Sequence, residues 1–303
     1  MELLQQIIST LKGVLSLILL VIYTLLGLSP VMLIALVKWL APNQGLKRHC
    51  TYAVVKIAEY LVYAYKTTFE IIHRPKWDVA GLDGLSSQNS YLIIANHQAW
   101  SDIPVLVFLL VGRVPFFKFF LKKELIWLPF IGVACWALDF PFMRRHSKEE
   151  LANNPQWRGK DLATTRELCK KLDGEPVSIV NFIEGTRFTP QKRIRQVSPY
   201  QHLLKPKSGG VAYVVSMLGD NLAAVIDMSI IYPGGPQNFW QFLSGKLKKV
   251  VVRVNKRAIP PQLHEGDYQA SDEYREGFQQ WVASLWLEKD ALIESTLTKP
   301  VTK

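Results

Sequence analysis

A histidine and an aspartate separated by four residues are the pair in this chain whose types and spacing suit proton-transfer chemistry. His97 and Asp102 lie in the segment YLIIANHQAWSD, which begins at Tyr91. Histidine titrates near neutral pH, so its imidazole can accept and release a proton under physiological conditions. A carboxylate that holds one ring nitrogen stabilises the imidazolium and leaves the other nitrogen as the base. The pair therefore predicts a general base and the residue that orients it.

The residues around this pair predict how it is positioned. Residues 91–95 are mostly apolar and indicate a short buried strand, which Asn96 ends, and the apolar residues 103–111 indicate a helix. On one continuous α-helix, side chains five positions apart point about 140° away from each other. The two side chains can meet only if His97 lies in the turn and Asp102 in the first helical turn. The strand would then deliver the histidine to the carboxyl end of an α/β sheet, where such sheets bind ligands.

The spacing by itself leaves an alternative open. A loop histidine next to an aspartate that caps a helix fits the same pattern without any catalysis. The same spacing recurs at His73 and Asp78, with Pro75 between them and no strand-then-helix pattern around them. We therefore assign the second pair no chemistry and expect replacement of His73 to be harmless.

A second candidate site follows another apolar segment. Residues 177–183 predict a strand that leads directly into Glu184, Gly185, Thr186 and Arg187. Glycine permits a tight turn and a close approach of the backbone to a ligand, and a hydroxyl with a forked guanidinium suits a phosphate. More positive charge follows at Lys192, Arg193 and Arg195. The alternative is an ordinary turn followed by solvated charges.

Composition limits the classes of partner. The net charge of +11, from 36 basic and 25 acidic residues, implies an anionic partner such as a nucleic acid, an anionic membrane surface or a phosphorylated substrate. The basic residues are dispersed, so we expect no nucleic-acid partner. Cys50, Cys135 and Cys169 are odd in number and form no CxxC pair, which disfavours a disulfide framework or a zinc site and fits a reducing compartment.

The amino-terminal part of the chain is suited to a membrane. Residues 13–37 carry no charge and are long enough to cross a hydrocarbon core of about 30 Å. Pro30 interrupts them, so one kinked spanning helix and a re-entrant hairpin both remain open. Residues 51–72 predict an amphipathic helix on the membrane surface or on the rest of the protein. Basic residues follow the apolar segment and place the remaining chain in the cytoplasm if that segment spans.

From about residue 75 onwards, strand and helix patterns alternate. The candidate strands are 91–96, 114–119, 138–143, 177–183, 223–232 and 248–255, and the candidate helices are 102–111, 123–136, 159–172, 209–218 and 271–296. This alternation predicts an α/β domain with a central, mostly parallel or mixed sheet flanked by helices. We divide the chain into amino-terminal membrane-anchoring helices, residues 1–74, and an α/β domain, residues 75–303.

The motifs, taken in order, resemble the signature blocks of the glycerolipid acyltransferases, the lysophosphatidic acid acyltransferase family. NHQAWSD resembles the first block and FIEGTR the third. KKELIWLPFIG is similar to the family's Lys-x6-Pro-x2-Gly segment, and FMRR is similar to the second block, with Arg145 at the arginine position. PKSGG, around Lys207, is similar to the segment after the third block. AAVIDMSIIYP stands where the fourth block belongs, with Ala224 and Asp227 in place of its usual prolines.

This resemblance implies transfer of a fatty acyl group from a coenzyme A or carrier-protein thioester to a glycerolipid. His97, oriented by Asp102, would take the proton from the sn-2 hydroxyl of 1-acylglycerol-3-phosphate or of a related lysophospholipid. Glu184 would position the acceptor or orient Arg187. The residues expected to hold the acceptor's phosphate are Arg145, Gly185, Thr186, Arg187 and Lys207.

The resemblance also implies the partners. These are membrane phospholipids, a lysophospholipid acceptor, and acyl-CoA or an acyl carrier protein (acyl-ACP) as co-substrate, with no metal and no other cofactor. The implied location is a bacterial inner membrane with the catalytic domain facing the cytoplasm. The aromatic residues between 116 and 142 then form either core beneath snorkelling cations or a membrane-facing surface or acyl-chain channel. A non-catalytic lipid-binding membrane protein with the same fold is the alternative, and a serine hydrolase is disfavoured because Gly-x-Ser-x-Gly is absent from the sequence.

Overall fold

The computed structural model describes residues 2–143, 175–264, Gly266, Tyr268 and 270–298. Arg144 and Arg145 of the second motif block and the helix predicted over residues 159–172 lie outside the described residues. The described helices are α1 (Glu2–Leu40), α2 (Gln44–His73), α3 (Asp102–Leu110), α4 (Ile131–Ala137), α5 (Pro190–Arg195), α6 (Gly209–Leu218), α7 (Phe239–Leu243) and α8 (Asp272–Thr298). The described strands are β1 (Lys76–Ala80), β2 (Ser90–Ala95), β3 (Phe117–Phe119), β4 (Leu121–Lys122), β5 (Phe142–Met143), β6 (Ser178–Phe182), β7 (Leu222–Ile231) and β8 (Lys249–Arg257).

Helices α1 and α2 form an antiparallel pair. Helix α1 runs through Pro30 without a break, so the apolar segment is one helix and no hairpin forms within it. The chain reverses just before α2, where the side chain of Asn43 accepts a hydrogen bond of 2.8 Å from the N–H of Leu46 and caps the helix. Gly27 lets the two helices approach closely, because a side chain there would run into Leu61. In the described part of the chain, α1 is the one helix long and apolar enough to cross a membrane.

Both ends of α1 contact the α/β domain. Near its start, Ser9 Oγ donates a hydrogen bond of 2.9 Å to the main-chain oxygen of Ser244, which follows α7. Near its end, Lys38 Nζ lies 2.8 Å from Asp139 Oδ1 and 2.9 Å from the main-chain oxygen of Ala137. At 1.5 Å per residue these two contacts are about 44 Å apart along the helix. Helix α1 therefore lies along the domain over most of its length.

A six-stranded mixed sheet, ordered β1-β8-β7-β2-β6-β3, forms the centre of the domain. Strands β7, β2, β6 and β3 are mutually parallel, whereas β8 pairs antiparallel with β7 and parallel with β1. The predicted α/β architecture is confirmed. Strands β2 and β6 are neighbours, with Ala95 opposite Phe182, so the segments that follow them leave the same edge of the sheet.

Some predicted elements differ from those observed. Residues 123–136 form a 3₁₀ turn and the separate helix α4, because Pro129 cannot donate the hydrogen bond that one continuous helix requires. The strand predicted at 138–143 is reduced to β5, which pairs with β4 in a separate two-stranded sheet. The strand predicted at 114–119 is shortened to β3. Strand β1 was not predicted, since its sequence KWDVA lacks a clear apolar pattern.

Apolar layers cover both faces of the sheet. All six residues of β2 are buried, as a central parallel strand requires. One face packs against α2, α3 and α7, and the other against α6 and α8. The aromatic residues between 116 and 142 do not form one group. Phe117 is buried in the core, whereas Trp127 and Phe130, beside α4, are 83% and 61% exposed.

Candidate active site

The structure places His97 in the turn that follows β2 and brings it against Asp102. His97 Nδ1 lies 2.8 Å from Asp102 Oδ2, and Asp102 is the first residue of α3. The imidazole is 17% exposed, and it stacks on the ring of Phe182 with centroids 4.3 Å apart. The geometry required by the spacing, with the histidine in the turn and the aspartate in the first helical turn, is therefore present.

The carboxylate of Asp102 is fully buried and accepts four hydrogen bonds. Its Oδ2 accepts from His97 Nδ1 and from the main-chain N–H groups of Gln98 and Ala99, at 2.5 and 2.8 Å. Its Oδ1 accepts from the hydroxyl of Tyr232 at 2.6 Å. Because the carboxylate acts as an acceptor towards every partner, Nδ1 of His97 carries the proton and Nε2 keeps a free lone pair.

The end of β7 holds the turn that contains His97. The side chain of Asn96 pairs with the main chain of Ile230 through two hydrogen bonds, each of 2.8 Å. Gln98 Nε2 also donates to the Ile230 carbonyl, at 2.9 Å. Since β7 pairs with β2 in parallel register, its carboxyl end reaches the same edge of the sheet. Strands β2 and β7 therefore together position the turn that carries the pair His97 and Asp102, here called the dyad.

The side chain of Glu184 joins the turn that contains His97 to the loop that contains Leu204. Its Oε1 accepts from the N–H of His97 at 2.9 Å and its Oε2 accepts from the N–H of Leu204 at 2.8 Å. The side chain is fully buried. Burial raises the pKa of Glu184 from 4.5 to about 7, although the backbone N–H groups of His97 and Leu204 lower it. The carboxylate thus joins two loops, whereas the sequence had assigned it to the acceptor or to Arg187.

The segment after β6 turns sharply and exposes its cationic residue. Gly185 has a φ of +70°, a backbone conformation that favours glycine, and its Cα lies close to the flexible side chain of Lys207. Thr186 Oγ1 accepts a hydrogen bond of 2.7 Å from Lys192 Nζ. Gly185, Arg187 and Lys207 are exposed. The structure therefore gathers the predicted residues 184–187 and Lys207 at one place.

Arg187 lies beside the turn that carries the dyad. Its guanidinium carbon is 4.7 Å from the centroid of the Trp100 ring, within range of a cation–π interaction. The N–H of Phe188 donates to the main-chain oxygen of His97 at 2.7 Å, which joins the two segments directly. The dyad and the cationic loop are thus adjacent, as the carboxyl ends of β2 and β6 require.

An apolar cavity of about 250 Å³ lies between α3, α7 and the α1–α2 pair. Helix α3 contributes Ile103, Val107 and Phe108 to its wall, so the lining starts one residue after Asp102. The opposite walls come from α1, α2 and α7 and include Leu20. Such a space can hold a hydrocarbon chain and offers little to a polar group.

The second His-x4-Asp pair is not brought together. His73 Nε2 lies 2.9 Å from Ser16 Oγ, and its ring packs against Phe69. Asp78 is paired with Arg253, whose Nη2 lies 2.8 Å away. His73 is the last residue of α2 and its side chain is buried, so its replacement would disturb packing, whereas the expectation that it takes no part in the chemistry stays a prediction.

Three residues that contact the candidate site were not predicted from the sequence. Trp100 lies within the first motif and Ser101 beside Asp102, but neither type signals a contact with Arg187 or with a tyrosine. Tyr232 follows β7, 130 positions away from Asp102. The motif AAVIDMSIIYP stands where the fourth block belongs, but it does not show which side chain reaches Asp102. The described residues contain no cluster of His, Cys, Asp and Glu that could hold a metal ion.

Comparisons with known sequences and structures relate this chain to acyltransferases. A family model described as Acyltransferase matches residues 76–233. The chain is 27% identical over 226 residues to 1-acyl-sn-glycerol-3-phosphate acyltransferase 3 of Arabidopsis thaliana, which covers 69% of this chain and 54% of that protein. It is 26% identical over 229 residues to lysocardiolipin acyltransferase 1 of Danio rerio, which covers 70% of this chain and 54% of that protein. The chain spans about half the length of these curated relatives.

A solved structure shares the fold. The crystal structure of the 1-acyl-sn-glycerophosphate (LPA) acyltransferase PlsC from Thermotoga maritima aligns with a TM-score of 0.51 and 17% sequence identity, covering 96% of this chain and 100% of that chain. The family model extends from β1 to the residue after Tyr232 and so includes the dyad, the residues 184–187 and the end of β7. Since that match covers more than half of the sequence, this chain belongs to the acyltransferase family.

Proposed function

We propose that this protein transfers a fatty acyl group from acyl-CoA or acyl-ACP to the sn-2 hydroxyl of 1-acylglycerol-3-phosphate or of a related lysophospholipid. The observation that carries the proposal is the contact between His97 and Asp102 at 2.8 Å, next to the exposed Arg187 and Lys207. The relatives named for acyl transfer to glycerol phosphates and lysocardiolipin support this class of acceptor.

His97 acts as the general base. Nδ1 is engaged by Asp102, so Nε2 takes the proton of the acceptor hydroxyl while the hydroxyl oxygen attacks the thioester carbonyl carbon. Collapse of the tetrahedral intermediate breaks the carbon–sulfur bond, and the imidazolium returns the proton to the departing thiolate. Asp102 stabilises the imidazolium during the transfer. The hydroxyl attacks directly, so no acyl-enzyme forms and no metal is required.

The acceptor's phosphate binds at the segment after β6. Arg187 supplies two parallel donors, and Lys207 adds a second cation beside Gly185, where the missing side chain leaves room for the ligand. Thr186 belongs to the same segment, and its hydroxyl accepts a hydrogen bond from Lys192 Nζ. We assign Arg145 to the same phosphate on the resemblance of its motif alone.

One acyl chain occupies the apolar cavity between α3 and the α1–α2 pair. The lining of the cavity includes Ile103, which follows Asp102 directly in the sequence, and its apolar character supports this assignment. Burial of each methylene stabilises the complex by about 0.8 kcal/mol, which is enough to hold a lipid in register. Phe117 and Phe119 pack in the core layer that contains α3 and do not line this space.

Helices α1 and α2, residues 1–74, anchor the protein to a membrane without crossing it. Ser9 and Lys38 both contact the α/β domain, so both ends of α1 must stay on one side of the hydrocarbon core, which is about 30 Å thick. Exposed apolar side chains follow α1 from Leu3 to Leu40. The helix can therefore lie parallel to the membrane surface with these side chains inserted into one leaflet. We place the domain of residues 75–303 on the cytoplasmic face of a bacterial inner membrane, where acyl-CoA and acyl-ACP are available.

A donor-by-acceptor matrix tests this function. The full chain is reconstituted in phosphatidylglycerol vesicles and given palmitoyl-CoA or palmitoyl-ACP with lysophosphatidate or other lysophospholipids, while free thiol and diacyl product are measured. We expect product and thiol in equal amounts, and neither from the variant His97→Ala. Binding of lysolipid without release of thiol from any donor would overturn the proposal and indicate a non-catalytic lipid-binding protein.

A further inference from the structure

Tyr232 connects the dyad to the end of β7. It follows that strand directly and is 3% exposed. Its hydroxyl donates to Asp102 Oδ1 at 2.6 Å and accepts a hydrogen bond of 2.9 Å from Ser101 Oγ. Ser101, Tyr232, Asp102 and His97 therefore form one continuous chain of hydrogen bonds that ends at the proposed base.

The two oxygens of Asp102 are served by different parts of the fold. Oδ2 takes its three donors from the turn itself, namely His97 Nδ1 and the N–H groups of Gln98 and Ala99. Oδ1 takes its donor from Tyr232. If a buried carboxylate oxygen loses its hydrogen-bond donor, it bears an uncompensated desolvation cost. The carboxylate then forms stronger hydrogen bonds with the donors that remain on its other oxygen. Tyr232 is thus placed to control how strongly Asp102 attracts the proton on the imidazole.

We propose that Tyr232 is a positioning residue that sets the basicity of His97 through Asp102, and that Ser101 acts through Tyr232. A donor on Oδ1 withdraws negative charge from the carboxylate, so the carboxylate stabilises the imidazolium less. Removal of the hydroxyl leaves more charge facing Nδ1 and keeps His97 protonated to higher pH. The catalytic consequence rests on the proposed function, whereas the effect on the imidazole does not.

The hydroxyl stays a donor throughout the pH range of interest. Burial, followed by the charge of Asp102, raises the pKa of Tyr232 well above its ordinary value. Among the described residues, the other charged groups on the segments around the imidazole are Glu184, whose carboxylate binds the N–H of His97, and Arg187 and Lys207 on the neighbouring loops. These groups are the same in the protein and in a Tyr232 variant, so a difference between the two reports on Tyr232.

Carbethoxylation of histidine tests the proposal without turnover. Diethyl pyrocarbonate reacts with an unprotonated ring nitrogen, which in His97 is Nε2. The full chain is modified at a series of pH values, and mass spectrometry of the peptide that contains His97 gives the rate of modification at each pH. We expect Tyr232→Phe to raise the midpoint of this rate by about half a pH unit or more. Ser101→Ala should raise it less, and adding Ser101→Ala to Tyr232→Phe should change nothing further.

A matched control is Tyr274→Phe, which also removes a tyrosine hydroxyl, in that case one that donates to the main-chain oxygen of Leu263 at 2.8 Å. It should leave the His97 midpoint unchanged. An unchanged or lowered midpoint in Tyr232→Phe, in protein that melts as the parent does, would overturn the proposal. With a working acyl donor and acceptor, the acidic limb of kcat/KM should move by the same amount. Absence of acyl transfer would refute the proposed function alone, because the modification series still decides the role of Tyr232.

Discussion

Glu184 accepts a hydrogen bond of 2.9 Å from the main-chain N–H of His97 through a carboxylate that is fully buried. Its second oxygen holds the N–H of Leu204 at 2.8 Å. One side chain thus fixes the distance between the turn that carries the base and the loop that leads to Lys207. The glutamate supports the proposed acceptor site and, because it is fully buried, cannot contact an acceptor there.

The raised pKa of Glu184 predicts a pH-dependent stability. Burial lifts this pKa from 4.5 to about 7, so between these values the folded protein binds more protons than the unfolded chain. The free energy of unfolding therefore falls as the pH rises through this window. In Glu184→Gln the titrating group is absent, and we expect the melting temperature of the parent to fall relative to that of the variant over the same window. Thermal melts across the pH series measure the difference.

Glu273→Gln is the control for this prediction. Glu273 is exposed at the start of α8, so its removal should leave the melting curves of parent and variant parallel. Parallel curves for Glu184→Gln as well would show that the buried carboxylate does not titrate in the window.

Loss of the base should abolish most of the activity. His97→Ala removes the group that accepts the hydroxyl proton, and general-base catalysis contributes about 10²- to 10⁴-fold, so kcat should fall by that factor. His49→Ala is the matched control, because His49 is exposed on α2. His73 is unsuitable for that purpose because it is buried against Phe69. Acyl transfer in vesicles that retains most of its rate in His97→Ala would exclude His97 as the base.

Arg187 should act on binding of the phosphorylated acceptor. Hydrogen bonds to charged groups contribute about 1.5–3 kcal/mol, so Arg187→Ala should raise KM for lysophosphatidate by about 10- to 100-fold with a smaller change in kcat. Trp100→Leu removes the ring that lies 4.7 Å from the guanidinium and should raise KM in the same direction by less. A monoacylglycerol, which lacks the phosphate, serves as the control acceptor. An equal rise in KM for both acceptors would place Arg187 away from the phosphate.

The contact between α1 and α2 at Gly27 should resist larger residues. A side chain at position 27 would collide with Leu61, and overpacking of this kind costs about 1–3 kcal/mol. We expect Gly27→Val to lower the melting temperature of the full chain in detergent. Adding Leu61→Ala vacates the space and should recover part of the loss. If the effects of the two single changes simply added in the double variant, the two positions would not be in contact.

Local patterns were sufficient for much of the fold. Strands β2, β6, β7 and β8 and helices α3, α6 and α8 lie within a few residues of their predicted bounds, because apolar periodicity and flanking turn residues are properties of neighbouring positions. Helix α4 was predicted too long because an apolar count ignores the missing N–H of Pro129. The ordered motifs also indicated the family, which the match over residues 76–233 confirms.

Residue types and spacing along the chain were enough to nominate His97 and Asp102, since a turn between a strand and a helix is a local structure. Packing between distant segments decided the rest. The burial of Glu184, the reach of Tyr232 to Asp102 and the docking of both ends of α1 on one domain each join residues far apart in sequence. Such contacts depend on strand order and register, which arise when the whole sheet forms, and a window of sequence holds no signal for them.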